Sequence, residues 1–170
     1  MSLIPEGYEI IRATEAEIEG IVAVSRECFA EPDSASTLER LLFDPFVTVL
    51  CAVKDGQVVA YCSFLGVAGE TQVINVATLP EHRGRGIAHA LMKVLLFFAT
   101  ETECPYVSLE VRASNAAAIK VYSDLGFKPA GVRKAFYRHP TEDAIVMLRG
   151  FDFFEEEIKT VTSSKEKSKR

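Results

Sequence analysis

The chain has 170 residues, enough for one domain with a real core, and its 48% hydrophobic and 25% charged content excludes a disordered protein. A net charge of -5 argues against DNA or RNA binding, which needs a basic surface, and suits a cationic or amine substrate. No run approaches the ~18 apolar residues of a membrane span, and the start MSLIPEGYEI lacks the basic and apolar regions of a signal peptide.

In chain order, YEIIRAT (8–14) reads as a strand, with Thr14 capping a helix over 15–29 whose stripe is Ile18, Ile21, Val22 and Ser25. EPDSAS (31–36) is a loop and TLERLL a short helix. VTVLCAVKDGQVVAYCSFL (47–65) is a hairpin turned at Asp55-Gly56. After a break at GVAGE comes a strand over 71–79, then a helix over 86–100 with the stripe Ile87, Leu91, Val94, Leu95 and Phe98. A strand over 105–111 follows, then a short helix in SNAAAIKVYSDLGF, capped by Ser114 or Asn115 and stopped by Gly126. Two strands, 132–138 and 143–151, are joined at HPTE. Residues 152–170 change in composition and read as a tail, with a short helix near 153–159 and a disordered, Lys-rich end.

This order makes residues 1–151 one α/β domain. Its strand–helix–strand–helix segment, 71–125, forces one central parallel strand pair in a mixed, mostly antiparallel sheet flanked by helices. Ligands in such sheets sit outside the carboxyl ends of the parallel strands. Cys28, Cys51, Cys62 and Cys104 form no CxxC pair or zinc-ligand spacing. They read as reduced thiols of a cytoplasmic protein with no metal.

EHRGRGIAHALM (81–92) carries the chemistry. Gly84 and Gly86 let backbone approach a ligand without a Cβ clash. The first amides of the next helix lack intrahelical partners and carry the positive end of its dipole. Arg83 and Arg85 add two charges, so the turn reads as a phosphate site. A Walker A string is missing, and a dinucleotide fingerprint fails because position 89 is His89. A plain connecting turn is the other reading.

RGRGIA matches R-x-x-G-x-A at Arg83, Gly86 and Ala88, and so resembles the pyrophosphate pattern of the GCN5-related N-acetyltransferases, the GNAT superfamily. SLEVRASNAAAIKVYSDLGF (108–127) is similar to the RimI-type branch, which acetylates the terminal alanine of a small ribosomal-subunit protein. The similarity is dense over 72–148 and weak over the first 45 residues. It implies acetyl-CoA as co-substrate. It places Val76, Ala77, Thr78, Arg83, Gly84, Arg85, Gly86, Ile87, Ala88, Asn115 and Ala118 around that molecule. It also implies a protein N-terminus as acceptor, ribosomal or other, and a monomer or homodimer.

Alternation on its strand puts Glu110 with Ser108 and Arg112, away from Leu109 and Val111. Alone it reads as a surface carboxylate paired with a neighbour, and Tyr122 reads as a core aromatic beside Val121 and Leu125. The resemblance makes Glu110 the general base and Tyr122 the general acid.

Acyl transfer needs a neutral amine, and an α-amine with a pKa near 7.7–8.0 is roughly a third neutral at physiological pH, against about one part in a thousand for lysine. Glu110, through a water, takes the remaining proton, the Val76 amide steadies the oxyanion, and Tyr122 protonates the leaving thiolate. Lysine side chains, small amines and a non-catalytic acyl-CoA module are the competing readings.

His89 and Lys93 read as solvated surface, and His139 as a residue bordering the substrate mouth or plain loop. The branch's Pro-Trp is Pro32-Asp33 here, which leaves the first acceptor residue open. Phe136 and Tyr137 line the acceptor groove or serve the sheet edge, with Tyr137 expected against substrate.

Overall fold

The computed structural model describes residues 3–102 and 104–151. The expected tail helix and disordered end lie outside the described residues. Strand β1 (Glu9–Arg12) leads to Thr14, which closes a reciprocal cap with Glu17 over a 3-10 turn. Helices α1 (Ile18–Cys28) and α2 (Ala35–Phe43) follow. Strands β2 (Val47–Lys54), β3 (Gln57–Val67) and β4 (Glu70–Thr78) form a meander. Then come a 3-10 turn (Pro80–His82), helix α3 (Ile87–Glu101), strand β5 (Tyr106–Arg112), helix α4 (Ala116–Asp124) and strands β6 (Lys128–Arg138) and β7 (Thr141–Gly150).

Among the described residues one sheet forms, in the order β1-β2-β3-β4-β5-β7-β6. β4 and β5 are its parallel pair, and the other pairings are antiparallel. The parallel ladder holds only from Glu70↔Tyr106 to Gln72↔Ser108. β4 then runs on to Thr78 and β5 to Arg112 without pairing to each other, so the sheet opens between their carboxyl ends. A register shift opposite Ser63/Phe64 adds to this opening.

The two faces carry separate cores. On one, α3 and α4 cover Leu91, Leu95, Val107, Leu109, Phe127 and Met147. On the other, α1 and α2 cover Ile21, Val24, Leu38, Val49, Tyr61 and Ala77. Gly20 allows α1 to lie this close, because a Cβ there would meet Val58 Cγ2 at 2.8 Å.

Several expectations are corrected. GVAGE is a tight turn, with Ala68 and Gly69 at φ 52 and 79°, and Gly66 and Val67 stay in β3. α2 starts earlier than expected, at Ala35, because the Ser34 side chain accepts the Thr37 N–H. β6 starts at Lys128, directly after the Gly126 stop. The α3 stripe is rotated. Met92, Leu96 and Ala99 are buried, while Phe98 is 42% exposed and lies beside Phe64 and Phe97. That helix is apolar on most sides, so periodicity alone could not choose its buried face.

Candidate active site

The chain leaves β4 at the open end of the sheet and turns through Pro80–His82 into Arg83. Gly84 and Gly86 hold φ 72 and 82°, a left-handed backbone that side chains resist. The first helical bond runs from the Ala90 N–H to the Gly86 carbonyl at 3.0 Å. The N–H groups of residues 84–89 find no acceptor among the described residues. A Cβ at Gly84 would meet nothing within 4 Å, so open ground lies before these amides. This geometry suits a diphosphate.

Arg83 does not point freely into that ground. Its Nε donates to the Thr78 carbonyl at 2.9 Å and its Nη2 to Cys28 Sγ at 3.7 Å, which pins the turn to β4 and α1. Arg85 Nη2 reaches the Glu81 carbonyl at 3.4 Å. Ile87 is buried and anchors the helix start, with Ala88 beside it.

Along β4 the Leu79 N–H donates to the Val59 carbonyl, so alternation turns the backbone groups of Val76 and Thr78 the other way, toward the gap. The Thr78 carbonyl is taken by Arg83 and by the Cys28 thiol, and burial pushes that thiol's pKa up. The Val76 N–H stands beyond the last rung of the parallel ladder. Ala77 belongs to the α1–α2 core.

Glu110 sits two residues past that rung, on the face of β5 opposite Leu109 and Val111. Its Oε2 accepts from Gln72 Nε2 at 3.3 Å, and its Oε1 meets Arg133 Nη2 at 3.3 Å, with 14% of the side chain exposed. Tyr122 lies on α4, in the core on the opposite sheet face from Glu110. Its ring is buried against Phe127, with centroids 5.9 Å apart, and its hydroxyl has no hydrogen-bond partner among the described residues. Tyr122 is a core aromatic, as its place on the apolar stripe implies. Burial raises its pKa, so the phenol stays protonated at neutral pH.

Asn115 is the α4 cap. Its Oδ1 accepts the Ala118 N–H at 3.1 Å, which commits that oxygen and leaves the amide donors for a ligand.

Tyr137 lies under Arg112, whose guanidinium carbon is 4.2 Å from the ring centroid, and its own pKa is raised by burial. Arg112 also donates to the Pro140 carbonyl at 3.1 Å, the His139 carbonyl at 3.2 Å and Glu142 at 3.3 Å. It therefore ties the β6–β7 turn to β5. His139 Nδ1 pairs with Glu31, so that turn meets the α1–α2 loop. His89 keeps 34% of its side chain exposed, as a surface residue, and approaches Asp124 at 3.6 Å.

Gln72, Arg133 and Asn75 also stand beside these groups and come from segments with no local motif. Arg112 carries one signal, its place two residues beyond Glu110 on the same strand face, and Asp33 carries one in the Pro32-Asp33 step, which gives no partner for its carboxylate.

A glycine turn that frees the first amides of a helix and an open parallel strand pair define a class. The family described as Acetyltransferase (GNAT) family matches residues 15–127, and the chain belongs to it. It is an N-acetyltransferase, and the family's acyl donor is acetyl-CoA. A Bacillus subtilis (strain 168) protein, provisionally named ribosomal protein bS18-alanine N-acetyltransferase, is 32% identical over 132 residues, covering 77% of this chain and 87% of that protein. The Escherichia coli (strain K12) ribosomal protein bS18-alanine N-acetyltransferase is 37% identical over 98 residues, covering 55% and 65% respectively. The crystal structure of the Escherichia coli ribosomal-protein-S18-alanine N-acetyltransferase superposes with a TM-score of 0.78 at 27% identity, covering 84% of this chain and 93% of that one.

Proposed function

We propose that the chain acetylates the α-amine of a protein N-terminus, of the ribosomal-protein-alanine type, by direct transfer from acetyl-CoA. The observation that carries this reading is the Glu31–His139 pair. It brings the α1–α2 loop and the β6–β7 turn together over the face where Glu110 lies. A chain terminus approaches this narrowed gap with backbone on one side only, whereas a mid-chain lysine brings backbone on both sides. The pair is exposed and adds little stability, so the argument rests on proximity and not on its strength. The two relatives named for alanine acetylation favour the same acceptor.

Acetyl-CoA supplies an activated acyl group. Residues 84–88 hold its diphosphate by their unpaired amides, and the Asn115 amide and the α4 start at Ala118 flank the pantetheine arm. Val76, with Ala77 and Thr78 fixing its strand, turns its N–H to the developing oxyanion. Glu110 takes the amine proton through a water on the acceptor face. Tyr122, kept protonated by burial, gives its proton to the leaving sulfur from the cofactor face. Tyr137 lines the acceptor side.

The test offers acetyl-CoA with an alanine-first bS18 peptide, the same peptide with a blocked N-terminus, and a lysine-containing peptide with a blocked terminus. α-Acetylation of the free peptide alone is expected. Modification of the blocked lysine peptide would replace this reading with side-chain acetylation.

A further inference from the structure

One carboxylate on the acceptor face has no role in the mechanism above. Asp33 stands in the α1–α2 loop, where its own N–H donates to the buried Ser25 Oγ at 2.9 Å. Its Oδ2 accepts from Asn75 Nδ2 at 2.9 Å and, at the long distance of 3.5 Å, from the Tyr61 hydroxyl. Asn75 immediately precedes Val76, whose amide faces the gap. Asn75 is three residues along β4 from Gln72, the Glu110 partner, and the register shift at Ser63/Phe64 falls between them; it reverses the alternation and brings Gln72 and Asn75 to one sheet face, roughly 10 Å apart along the strand.

Both partners of Asp33 are neutral. Among the described residues no Lys, Arg or His side chain pairs with it, and its Oδ1 accepts no hydrogen bond. Burial accordingly holds its carboxyl above the usual carboxylate range. A half-buried anion without a cation is costly unless something arrives to compensate it. The arriving acceptor is a chain terminus with an ammonium group, and it must pass between this loop and the β6–β7 turn.

We propose that Asp33 is an acceptor-binding residue: its carboxylate receives the ammonium of the incoming terminus, and the same charge shuts out peptides whose first residue is Asp or Glu. This rests on the N-terminal reading above.

Two measurements test it. The wild-type chain is given alanine-first, serine-first, aspartate-first and glutamate-first peptides of otherwise identical sequence. It should disfavour the acidic pair by about tenfold or more in kcat/KM, as like charges in a partly dry groove require. Asp33→Asn keeps a carbonyl oxygen for Asn75 and Tyr61, so the loop is retained while the charge goes. It should raise the acceptor KM about tenfold with kcat and the acetyl-CoA KM within about twofold, and it should narrow the discrimination against acidic peptides.

Equal use of all four peptides by the wild type, or an unchanged acceptor KM and selectivity in the variant, would overturn the proposal while leaving N-terminal acetylation intact. If the wild type acetylates no α-amine, that broader reading fails instead. Asp33 is then judged by calorimetry of the CoA-loaded protein with the alanine-first peptide, free or N-acetylated. A preference for the free amine that Asp33→Asn abolishes supports the role, and no preference refutes it.

Discussion

The two sides of the gap between β4 and β5 are built by different means. The side proposed for the acetyl donor is backbone: six consecutive amides, 84–89, held open by two left-handed glycines and a helix start. The side proposed for the acceptor is side chains gathered from far apart, with Asp33 reaching Asn75, Glu110 reaching Gln72 and Arg133, and His139 reaching Glu31. A backbone cradle suits a co-substrate that never changes. A side-chain groove can be re-cut residue by residue, and that is where this chain departs from the Pro-Trp pattern. Mutations on the acceptor side should therefore change chemistry and selectivity, and those on the donor side acetyl-CoA affinity.

The largest expected effect is on the proton path. Glu110→Gln keeps its contacts to Gln72 and Arg133 feasible but cannot accept a proton, so kcat should fall about a hundredfold or more with acetyl-CoA KM unchanged. Tyr122→Phe removes only the hydroxyl from a ring packed on Phe127, and should lower kcat about tenfold without loss of stability, since that hydroxyl has no hydrogen-bond partner among the described residues. Steady-state kinetics and thermal melts on both variants check this. A non-catalytic binding module would be indifferent to either change.

Smaller, and confined to the donor side, is Gly84→Ala. A left-handed alanine costs about 1–2 kcal/mol, and the new Cβ occupies the ground before the amides. The acetyl-CoA KM should rise about tenfold while the acceptor KM holds, because the dipole and the remaining amides persist. A rise in the acceptor KM instead would mean the two sides are not separable.

The smallest effect is on stability and its pH dependence. Glu142 accepts the Ser114 N–H and pairs with Arg112, and these contacts, the Ser114 bonds first, hold its carboxyl below the ordinary range. A depressed folded-state pKa contributes stability above the unfolded value, and that contribution is lost as pH falls through the folded one. Glu142→Gln should therefore lower Tm at pH 7, and the gap to wild type should close as pH drops below the carboxylate range. Asp33 has the opposite sign. Its raised pKa makes the ionised form unfavourable, so Asp33→Asn should melt slightly higher at pH 7 and lose that advantage in acid.

The same contrast explains what could be read in the sequence. RGRGIA is contiguous, and each feature needed there, the φ above zero, the free amides and the helix start, is local. Glu110 and Tyr122 needed family resemblance, since alone they read as a surface carboxylate and a core aromatic. The order of elements along the chain, the hairpin at Asp55-Gly56 and the single parallel pair follow from periodicity and turn chemistry, while the sheet order, with β7 between β5 and β6, does not. The buried face of α3 did not, because LMKVLLFFA is apolar nearly all round. Asp33 and Arg112 could be named but their partners could not, and Asn75 gave no signal, because these contacts span 42 positions for Asp33 with Asn75 and 27 to 30 for Arg112.

The central claim is that unpaired amides opening α3 hold acetyl-CoA so that its thioester lies in the opening beside Val76. Titration of the 15N-labelled protein with coenzyme A, followed by amide proton shifts, tests it most directly. The largest changes should fall on Gly84 to His89, with Val76 also shifting when acetyl-CoA replaces coenzyme A. Saturable binding that leaves residues 84–89 unmoved, with shifts gathered elsewhere, would contradict the account.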